Sequence, residues 1–464
     1  MNDAPTPTAT PAADPAIDEP WLLLGMLIDD GDAGAVQTFL DDLPAWEQAR
    51  AVSRLADVQQ ARLLELLPHE RTADLMEIVS VTQAVELIDQ LGPERAAEVI
   101  SDLRSDKQAD VLGELPERQA DAILAELDPR EAEQARALAE YDPRSAGGIM
   151  VTEYLAYYHS LTVADVIEDM REHADRYADY AVQYAYVVNT RGELLGVLRF
   201  RDLLFSPKGS RLSDVMLADP TSVRDDASLD ALRQFFDDHG YLGVPVVDAR
   251  GHLVGVVQRS AVDEAAEEQA QSMFLKISGI IGGEEFRTMP VWVRSGRRLS
   301  WLSINIVLNI IAASVIAIYT DTLEAAIALA IFLPMISDMS GCSGNQAVAV
   351  SMREITLGLL NERELTRVAL KELMVGIING LCLGLILGLI AFLWKSNLWL
   401  GLVVGGALAL NTLVAVILGG SLPLVLKRAR LDPAMVSSPV LTTVTDMCGF
   451  FLVLSFASAV IERL

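Results

Sequence analysis

Hydrophobic positions follow three different patterns along this chain of 464 residues. From about Trp21 to Tyr141, Leu and Ala recur every three or four residues, which predicts a series of short amphipathic helices. New helices are expected to begin at Pro68, Pro93 and Pro116, because proline is tolerated in the first turn of a helix. These prolines are 25 and 23 residues apart. The spacing indicates a weak helical repeat and therefore a small α-superhelix.

The pattern changes to strands alternating with helices from about Ser145 to Asp263, and this segment contains an internal repeat. YVVNTRGELLGVLRFRDL, which begins at Tyr186, matches PVVDARGHLVGVVQRSAV, which begins at Pro245, at an offset of 59 residues. GGIMVTEY and LSDVMLADP also correspond, at an offset of 66. Each copy reads as strand, turn, strand and helix. The two copies together resemble a tandem pair of CBS domains.

CBS pairs often bind adenine nucleotides through a Ser/Thr-x-x-Asp motif, and the resemblance raises that possibility here. The motif positions are Arg199 and Asp202 in the first copy, and Gln258 and Ala261 in the second. Neither copy has the hydroxyl, and the second also lacks the carboxylate. We therefore expect the pair to serve structure and dimerisation, and nucleotide binding stays an open alternative.

A helix rich in acidic residues is predicted next, over residues 260–276. Its four carboxylates form i,i+4 pairs of like charge, which destabilise a helix. Bound divalent cations would relieve this repulsion, and the alternative is a solvated acidic face. The residues of this candidate regulatory site are Asp263, Glu264, Glu267 and Glu268.

The last third of the chain carries five apolar runs, each close to the ~20 residues that cross a bilayer. They are predicted at Trp301–Thr320, Leu323–Met352, Leu373–Trp394, Leu398–Leu426 and Pro439–Ile461. Clusters of Lys and Arg precede the first run, separate the second from the third and separate the fourth from the fifth. The positive-inside rule then predicts cytoplasmic soluble domains and an outside C-terminus.

Two carboxylates lie inside these apolar runs, Asp446 in the fifth and Asp338 in the second, and both are expected to be buried. A carboxylate at that depth costs about 2.5–3.5 kcal/mol and usually marks an ion or substrate path. Asp338 is followed by MSGCSGNQ, which indicates broken helical backbone lining a cavity. If the segment is helical instead, Asp338 and Asn345 share one polar face. Facing oxygen-lined stripes would suit a hard cation such as Mg²⁺. The alternative is that the glycines make close helix contacts and the acids are structural.

The charge is divided unevenly between the two parts of the chain. Residues 1–290 hold 24 Lys+Arg against 54 Asp+Glu, a net of −30, and the remainder holds 12 against 10, a net of +2. A strongly acidic soluble part argues against nucleic acid as a partner and fits cations. Solubility alone is the competing explanation.

The order of helical domain, CBS pair, acidic helix and five spans resembles the MgtE family of Mg²⁺ transporters. The most specific motifs are FLPMISDMSGCSGNQAVAVSMRE and LDPAMVSSPVLTTVTDMCG. The resemblance implies a homodimer in which Asp446 holds the hydrated ion and Asp432 lies near the inner pore mouth. It also implies that Mg²⁺ bridges the acidic domains and closes the pore. Cys342 stands where the family commonly has Asn, and Asp338 where it has Gly. Ser260 and Ala261 stand where two Asp are frequent.

These observations predict a multidomain protein with an all-α superhelical N domain, α/β tandem CBS domains and an α-helical membrane domain with five spans. We expect a non-enzymatic, Mg²⁺-gated and Mg²⁺-selective importer in a bacterial inner membrane. A broader Mn²⁺ or Co²⁺ transporter and a membrane-anchored CBS nucleotide receptor remain as alternatives. The expected domains are a disordered tail (1–20), the helical superhelix (21–141), the first CBS domain (142–209), the second CBS domain (210–263), the amphipathic connecting helix with its linker (264–298) and the membrane domain (299–464).

Overall fold

The computed structural model describes residues 19–177, 180, 184–282, 285, 287, 289–360 and 364–464. The tail predicted at 1–20 lies almost wholly outside the described residues. The chain divides into two compact units, one ending at Glu267 and the other beginning at Glu268. Each unit is therefore described by itself.

Among the described residues, the first unit begins with ten short helices, which follow the three- and four-residue spacing of Leu and Ala. Pro68 and Pro116 directly precede helices, and Pro93 is the first residue of one, as the sequence predicts. The helices are α1 (Pro20–Asp30), α2 (Ala33–Asp41), α3 (Ala45–Ser53), α4 (Asp57–Leu66), α5 (His69–Ile78), α6 (Val81–Ile88), α7 (Pro93–Asp102), α8 (Ser105–Glu114), α9 (Glu117–Leu124) and α10 (Pro129–Ala139).

From α3 to α10, helices that are two apart along the chain pack on each other, and α4 also packs on α1. A single apolar core runs along the stack, from Leu24 in α1 to Ala135 in α10. A repeated next-but-one contact winds the helices into a superhelix, so the all-α N domain is confirmed.

The CBS segment forms two sheets with matching topology. In both, a parallel pair of strands is followed by an antiparallel strand, and the first sheet adds a short fourth strand at its edge. The elements are α11 (Ala146–Ile149), β1 (Leu155–Tyr158), α12 (Val163–Glu172), β2 (Tyr184–Val188), β3 (Leu194–Arg199), α13 (Phe200–Phe205), α14 (Leu212–Val215), β4 (Leu217–Ala218), β5 (Val223–Arg224), α15 (Leu229–Asp238), β6 (Gly243–Val247) and β7 (Leu253–Gln258).

The internal repeat is reproduced in backbone detail at the predicted offset of 59 residues. The β2–β3 and β6–β7 ladders shift register at Val187/Val188 and Val246/Val247, respectively. The turn glycine of each copy has positive φ, +82° in the first and +85° in the second. Asn189 and Asp248 each accept hydrogen bonds from the backbone N–H groups two and four residues further on. The tandem CBS fold is therefore confirmed.

Within the first unit, the N domain and the CBS pair share an apolar cluster that includes Ala109, Leu138 and Leu232, and the carboxylate of Glu153 adds a polar contact. Glu153 accepts hydrogen bonds from the backbone N–H and the hydroxyl of Ser105, at 3.0 and 2.8 Å. The Ser105 hydroxyl also accepts from the N–H of Thr152 at 2.8 Å. Ser105 begins α8, so a negative charge lies at a helix N-terminus, where it is stabilising.

The helix predicted over 260–276 is present as α16 (Arg259–Ile277). The described part of the second unit then holds five helices long and apolar enough to cross a membrane. The remaining helices are α17 (Val291–Ile318), α18 (Thr320–Ala325), α19 (Phe332–Thr356), α20 (Leu365–Lys395), α21 (Leu398–Arg428) and α22 (Pro433–Ala459). A 3₁₀ turn at Ile327–Ile331 extends the second span to Ile327–Thr356.

The expectation of broken backbone around MSGCSGNQ is wrong, because α19 is a continuous helix through that segment. Its glycines instead permit close packing. A Cβ at Gly344 would lie 2.9 Å from the carbonyl oxygen of Ala415 and 2.9 Å from a methyl group of Leu441. Small residues let membrane helices approach closely, so α19, α21 and α22 meet at this point.

Helices α20 and α21 pack through a second set of glycines. A Cβ on Gly384 would lie 2.5 Å from the carbonyl oxygen of Gly405, and a Cβ on Gly405 would lie 2.5 Å from that of Gly384. Real side chains do not make such contacts, so the helix separation here requires glycine on both sides.

We predict that Gly384→Ala destabilises the membrane domain by roughly 1–3 kcal/mol, because the new methyl group forces two packed helices apart. Thermal unfolding in detergent measures the effect. Gly406→Ala is the matched control, since its Cβ would meet only Phe456 at 3.9 Å. Equal melting temperatures for the two variants would contradict the proposed packing constraint.

Candidate ion-binding site

Asp446 lies in the middle of α22 and is buried, with 8% of its surface exposed. Its carboxylate oxygen Oδ1 accepts a hydrogen bond from the hydroxyl of Ser337, which is carried by α19. The carboxylate is thus buried as expected, and the second and fifth spans meet through it. Burial with one hydroxyl donor leaves most of the carboxylate's acceptor capacity for another partner.

Asp338 does not share this environment. It is exposed on the surface of the single chain, so the expectation of a second buried acid is wrong. Cys342, Asn345 and Ala349 are exposed on the same face of α19, as helical spacing predicts. We call Asp338, Cys342, Asn345 and Ala349 the α19 stripe. The neighbours that pack inside are Ser340, Ser343, Gly344 and Ala347.

The α19 stripe is joined to the last span by a polar contact. The hydroxyl of Ser438 donates to the side-chain oxygen of Asn345 at 3.3 Å. One turn further along α22, the hydroxyl of Thr442 donates to the carbonyl oxygen of Ser438 at 2.9 Å. Asn345, Ser438 and Thr442 therefore place amide and hydroxyl oxygens on the two helices that Asp446 and Ser337 also connect.

Asp432 is the N-cap of α22 and already has a cationic partner. Its Oδ1 accepts from the backbone N–H of Ala434 at 2.9 Å, and its Oδ2 lies 3.3 Å from the ammonium of Lys276. Lys276 is in the last turn of α16, a part of the helix that belongs to the second unit. The Lys276 ammonium therefore forms an ion pair with Asp432, the carboxylate that is predicted to bind a cation.

The last turns of α16 also pack on the spans. Met273 contacts an apolar cluster that includes Val348, Leu422 and Leu441. Its sulfur accepts a hydrogen bond from the Thr356 hydroxyl at 3.3 Å. This packing holds Lys276 next to the beginning of α22.

A second ion-pair group lies where the chain reaches the first span. The Glu285 carboxylate pairs with Arg298 and, at 3.2 Å, with Arg294. Its side chain is 4% exposed. The Arg298 guanidinium is the largest cause that holds the pKa of Glu285 below its usual range, followed in the same direction by Arg294. Part of the basic charge before the first span is therefore neutralised internally.

A polar cavity of about 190 Å³ lies in the second unit, next to Ser438 and Thr442. Hydroxyl and amide side chains from α17 and α22 contribute most of its polar lining. Its lining residues are Ile277, Ser278, Trp301, Asn305, Leu308, Asn309, Ser438, Pro439, Thr442 and Thr443.

The four predicted regulatory acids, Asp263, Glu264, Glu267 and Glu268, are exposed on α16. The boundary between the two units falls after Glu267, so the structure describes these residues only along their own helix. They stay a predicted site.

In the described part of the chain, no three His, Cys, Asp or Glu side chains lie close enough together to hold a metal ion. The predicted acids are thus not gathered into one cage. Asp446, Asp432 and Asp338 each have a separate environment. A site with one carboxylate and several neutral oxygens can still hold a cation that keeps part of its water shell, as Mg²⁺ does.

The CBS pair has one carboxylate, Asp202, at the position expected to bind a nucleotide ribose, and this carboxylate already has basic partners. Asp202 accepts a hydrogen bond from Nε of Arg199 at 2.6 Å and lies 3.7 Å from Nε of Arg201. In the second copy, Gln258 ends β7 and Ala261 lies in α16. The first carboxylate is therefore already paired, and the second is absent from the sequence.

Three family models match the chain in the order of its domains. The intracellular N domain of MgtE matches residues 43–144, and CBS domains match 146–209 and 212–268. The MgtE divalent cation transporter model matches residues 333–456, which include the α19 stripe and Asp446.

Curated relatives agree with these matches. A magnesium transporter MgtE of Thermus thermophilus is 32% identical over 333 residues, which are 71% of this chain and 73% of that protein. A magnesium transporter MgtE of Bacillus subtilis is 27% identical over 72% of this chain and 73% of that protein. The crystal structure of the soluble part of a magnesium transporter superposes with a TM-score of 0.50 at 24% identity. It covers 55% of this chain and 99% of that chain, and it supports the fold.

A superhelical domain and a CBS pair followed by five candidate spans with a buried carboxylate define a multidomain polytopic membrane protein. The chain belongs to the MgtE family of magnesium transporters.

Sequence reasoning did not single out Ser337, Ser438 or Lys276. Ser337 and Ser438 lie inside the two quoted motifs. Each is eight residues before a predicted site residue, Asn345 and Asp446 respectively, and this helical spacing could have drawn attention to them. Lys276 carries no such signal, because its contact with Asp432 joins positions 156 residues apart.

We predict that Lys276→Gln strengthens divalent-cation binding at Asp432, because the competing ammonium is removed. The ion pair is partly exposed, so the gain is about 1 kcal/mol, or roughly five-fold in affinity. Mg²⁺ titration of the detergent-solubilised protein by calorimetry measures it. Lys395→Gln removes an exposed lysine elsewhere in the membrane domain and should have no effect. A gain that persists when Asp432→Asn is added would contradict the assignment.

Proposed function

We propose that this protein is a homodimeric channel or transporter that imports Mg²⁺ across a bacterial inner membrane and is closed by cytosolic Mg²⁺. The observation that carries the proposal is the buried Asp446 carboxylate in the middle of the fifth span, held by Ser337 of the second. A carboxylate at membrane depth is costly unless it faces a bundle interior or a water-filled space. A cation drawn to it would offset that cost.

The α19 stripe supports a pore shared by two copies. Asp338 is an exposed carboxylate inside a span, and lipid cannot solvate a carboxylate without a large cost. The stripe must therefore face water or protein. A second copy that presents the same stripe would enclose a polar path between the two, as expected for an isologous two-fold interface.

Mg²⁺ is the proposed ion because the neighbouring ligands are oxygens. Asn345, Ser438 and Thr442 provide amide and hydroxyl oxygens next to few carboxylates, which suits a hard cation that keeps several waters. Both curated relatives are named magnesium transporters. Cys342 lies on the α19 stripe and offers a softer ligand, so Mn²⁺ or Co²⁺ transport is the second candidate.

Regulation by cytosolic Mg²⁺ is proposed from charge. The first 290 residues carry a net charge of −30, and α16 exposes like-charged i,i+4 pairs. Divalent cations would screen this repulsion and stabilise one arrangement of the domains. Orientation follows from the clusters of Lys and Arg, which favour cytoplasmic soluble domains and an outside C-terminus.

We predict that purified protein in liposomes conducts Mg²⁺ and that Asp446→Ala abolishes the flux, because the ion loses the buried carboxylate that is proposed to bind it. A Mg²⁺-sensitive dye inside the liposomes reports uptake. High Mg²⁺ on the cytoplasmic face should suppress uptake by the wild type.

Asp321→Asn is the control for the loss of an acid in the membrane domain, since Asp321 is exposed outside the long spans. Uptake that ignores cytoplasmic Mg²⁺ would remove the gating proposal and leave transport. Absence of flux in a folded wild type, with ATP or AMP bound instead, would favour the nucleotide receptor.

The native cysteines test the pore face directly. Cys342 lies on the α19 stripe, whereas Cys382 is exposed on α20. We predict that a charged methanethiosulfonate reagent blocks Mg²⁺ uptake by the wild type, that Cys342→Ser confers resistance and that Cys382→Ser does not. In a Cys448→Ser background, which removes the half-buried cysteine two residues after Asp446, block that survives Cys342→Ser would show that the stripe does not line the path.

A further inference from the structure

Asn411 is a fully buried amide in the fourth span, a helix to which the sequence assigns no site residue. Its Nδ2 donates to the hydroxyl of Ser340 in α19 at 2.5 Å. Its Oδ1 has no hydrogen-bond partner among the described residues. A buried amide that satisfies only its donor side is costly, so its presence calls for a physical explanation.

The partner of Asn411 leads to the ion-binding carboxylate. The Ser340 hydroxyl donates to the carbonyl oxygens of Ile336 and Ser337, at 2.7 and 3.0 Å. The hydroxyl of Ser337 in turn donates to Asp446. Asn411, Ser340, Ser337 and Asp446 therefore form one connected series across the fourth, second and fifth spans, which we call the amide relay.

Packing fixes Asn411 against both of the other helices. A Cβ on Gly449 would lie 2.7 Å from Asn411 Nδ2 and 3.3 Å from a methyl group of Ile336. Gly449 is three residues after Asp446 and lies on the same side of α22. The glycine allows the amide to lie next to the turn that carries the carboxylate.

A serine that donates to carbonyl groups of its own preceding turn bends a helix slightly. Asn411 donates a hydrogen bond to the Ser340 hydroxyl from another helix, α21. This contact restricts the conformation of the turn from Ile336 to Ser340. Ser337 is on that turn, and the orientation of its hydroxyl decides which way Asp446 Oδ1 points.

We propose that Asn411 is a positioning residue for the ion-binding carboxylate of Asp446, acting through Ser340 and the helical turn of Ser337. This inference rests on the proposed function of Asp446 in binding Mg²⁺. Asn411 itself does not contact the ion. It reduces the conformational freedom that Asp446 would otherwise lose when the ion binds.

The test is a double-mutant cycle on the full-length protein in liposomes, with low Mg²⁺ on the cytoplasmic face. Asn411→Leu and Ser337→Ala should each raise the Mg²⁺ concentration for half-maximal uptake roughly 3- to 10-fold. Because both residues act through one relay, Asn411→Leu should change the Mg²⁺ concentration for half-maximal uptake by less than about two-fold in the Ser337→Ala background.

Two variants separate positioning from folding. Thr412→Val removes the neighbouring fully buried hydroxyl, which also has no hydrogen-bond partner in the described part of the chain and lies outside the relay. It should leave half-maximal uptake unchanged. Ser340→Ala breaks the relay from the other side and should reproduce the shift even if Asn411→Leu folds poorly. A purely structural amide would give shifts that multiply in the double mutant, and this outcome would overturn the proposal.

A measurement of Mg²⁺ binding to the detergent-solubilised protein tests this inference independently of transport. The component of Mg²⁺ binding that Asp446→Ala removes should weaken in Asn411→Leu by the same factor as uptake. If the wild type binds Mg²⁺ through Asp446 but shows no flux, the transport proposal fails. The change in Mg²⁺ affinity in Asn411→Leu then still tests whether the amide relay positions Asp446. Unchanged binding in both Asn411→Leu and Ser340→Ala would overturn the relay, as would the absence of any Asp446-dependent binding.

Discussion

The burial of one carboxylate among apolar helices is the constraint on which the membrane domain depends. Asp446 is removed from water at a depth where neither lipid nor apolar side chains can solvate it. The chain responds with short polar side chains on the helices that surround it. Ser337 donates to the carboxylate directly, and Ser340 and Asn411 continue the polar contacts into the fourth span. A bound cation can offset the desolvation cost that these contacts leave at Asp446. The stability of the helix bundle and the proposed ion binding therefore depend on the same carboxylate.

Glycine makes this arrangement possible, because polar groups this short can meet only where backbones lie close together. Gly344 brings α19 against α21 and α22, and Gly449 gives Asn411 its place beside the last span. The same residue type joins α20 to α21 at Gly384 and Gly405. Without a hydrophobic driving force between helices in lipid, close van der Waals contact and hydrogen bonds must supply the association.

The two units use charge in opposite ways. In the first unit, acidic side chains dominate and many are exposed, so cations can act on it electrostatically. In the membrane unit, charges are few and several are paired, as Asp432 is with Lys276 and Glu285 with two arginines. A cation that reaches Asp432 must therefore displace an ammonium held by the same protein. This contact makes the end of α16 part of the electrostatics of the proposed path.

The sequence by itself determined the class of each domain, because periodicity, proline positions and a 59-residue repeat are local features that survive in the fold. It also predicted the burial of Asp446, since a lone carboxylate in an apolar run is conspicuous without coordinates. Tertiary structure alone decided that MSGCSGNQ is helical, that Asp338 is exposed and that Lys276 meets Asp432. The physical reason is that these outcomes depend on which helices approach one another. Glycine reads as a helix breaker along the chain, but between packed helices it is the residue that permits contact.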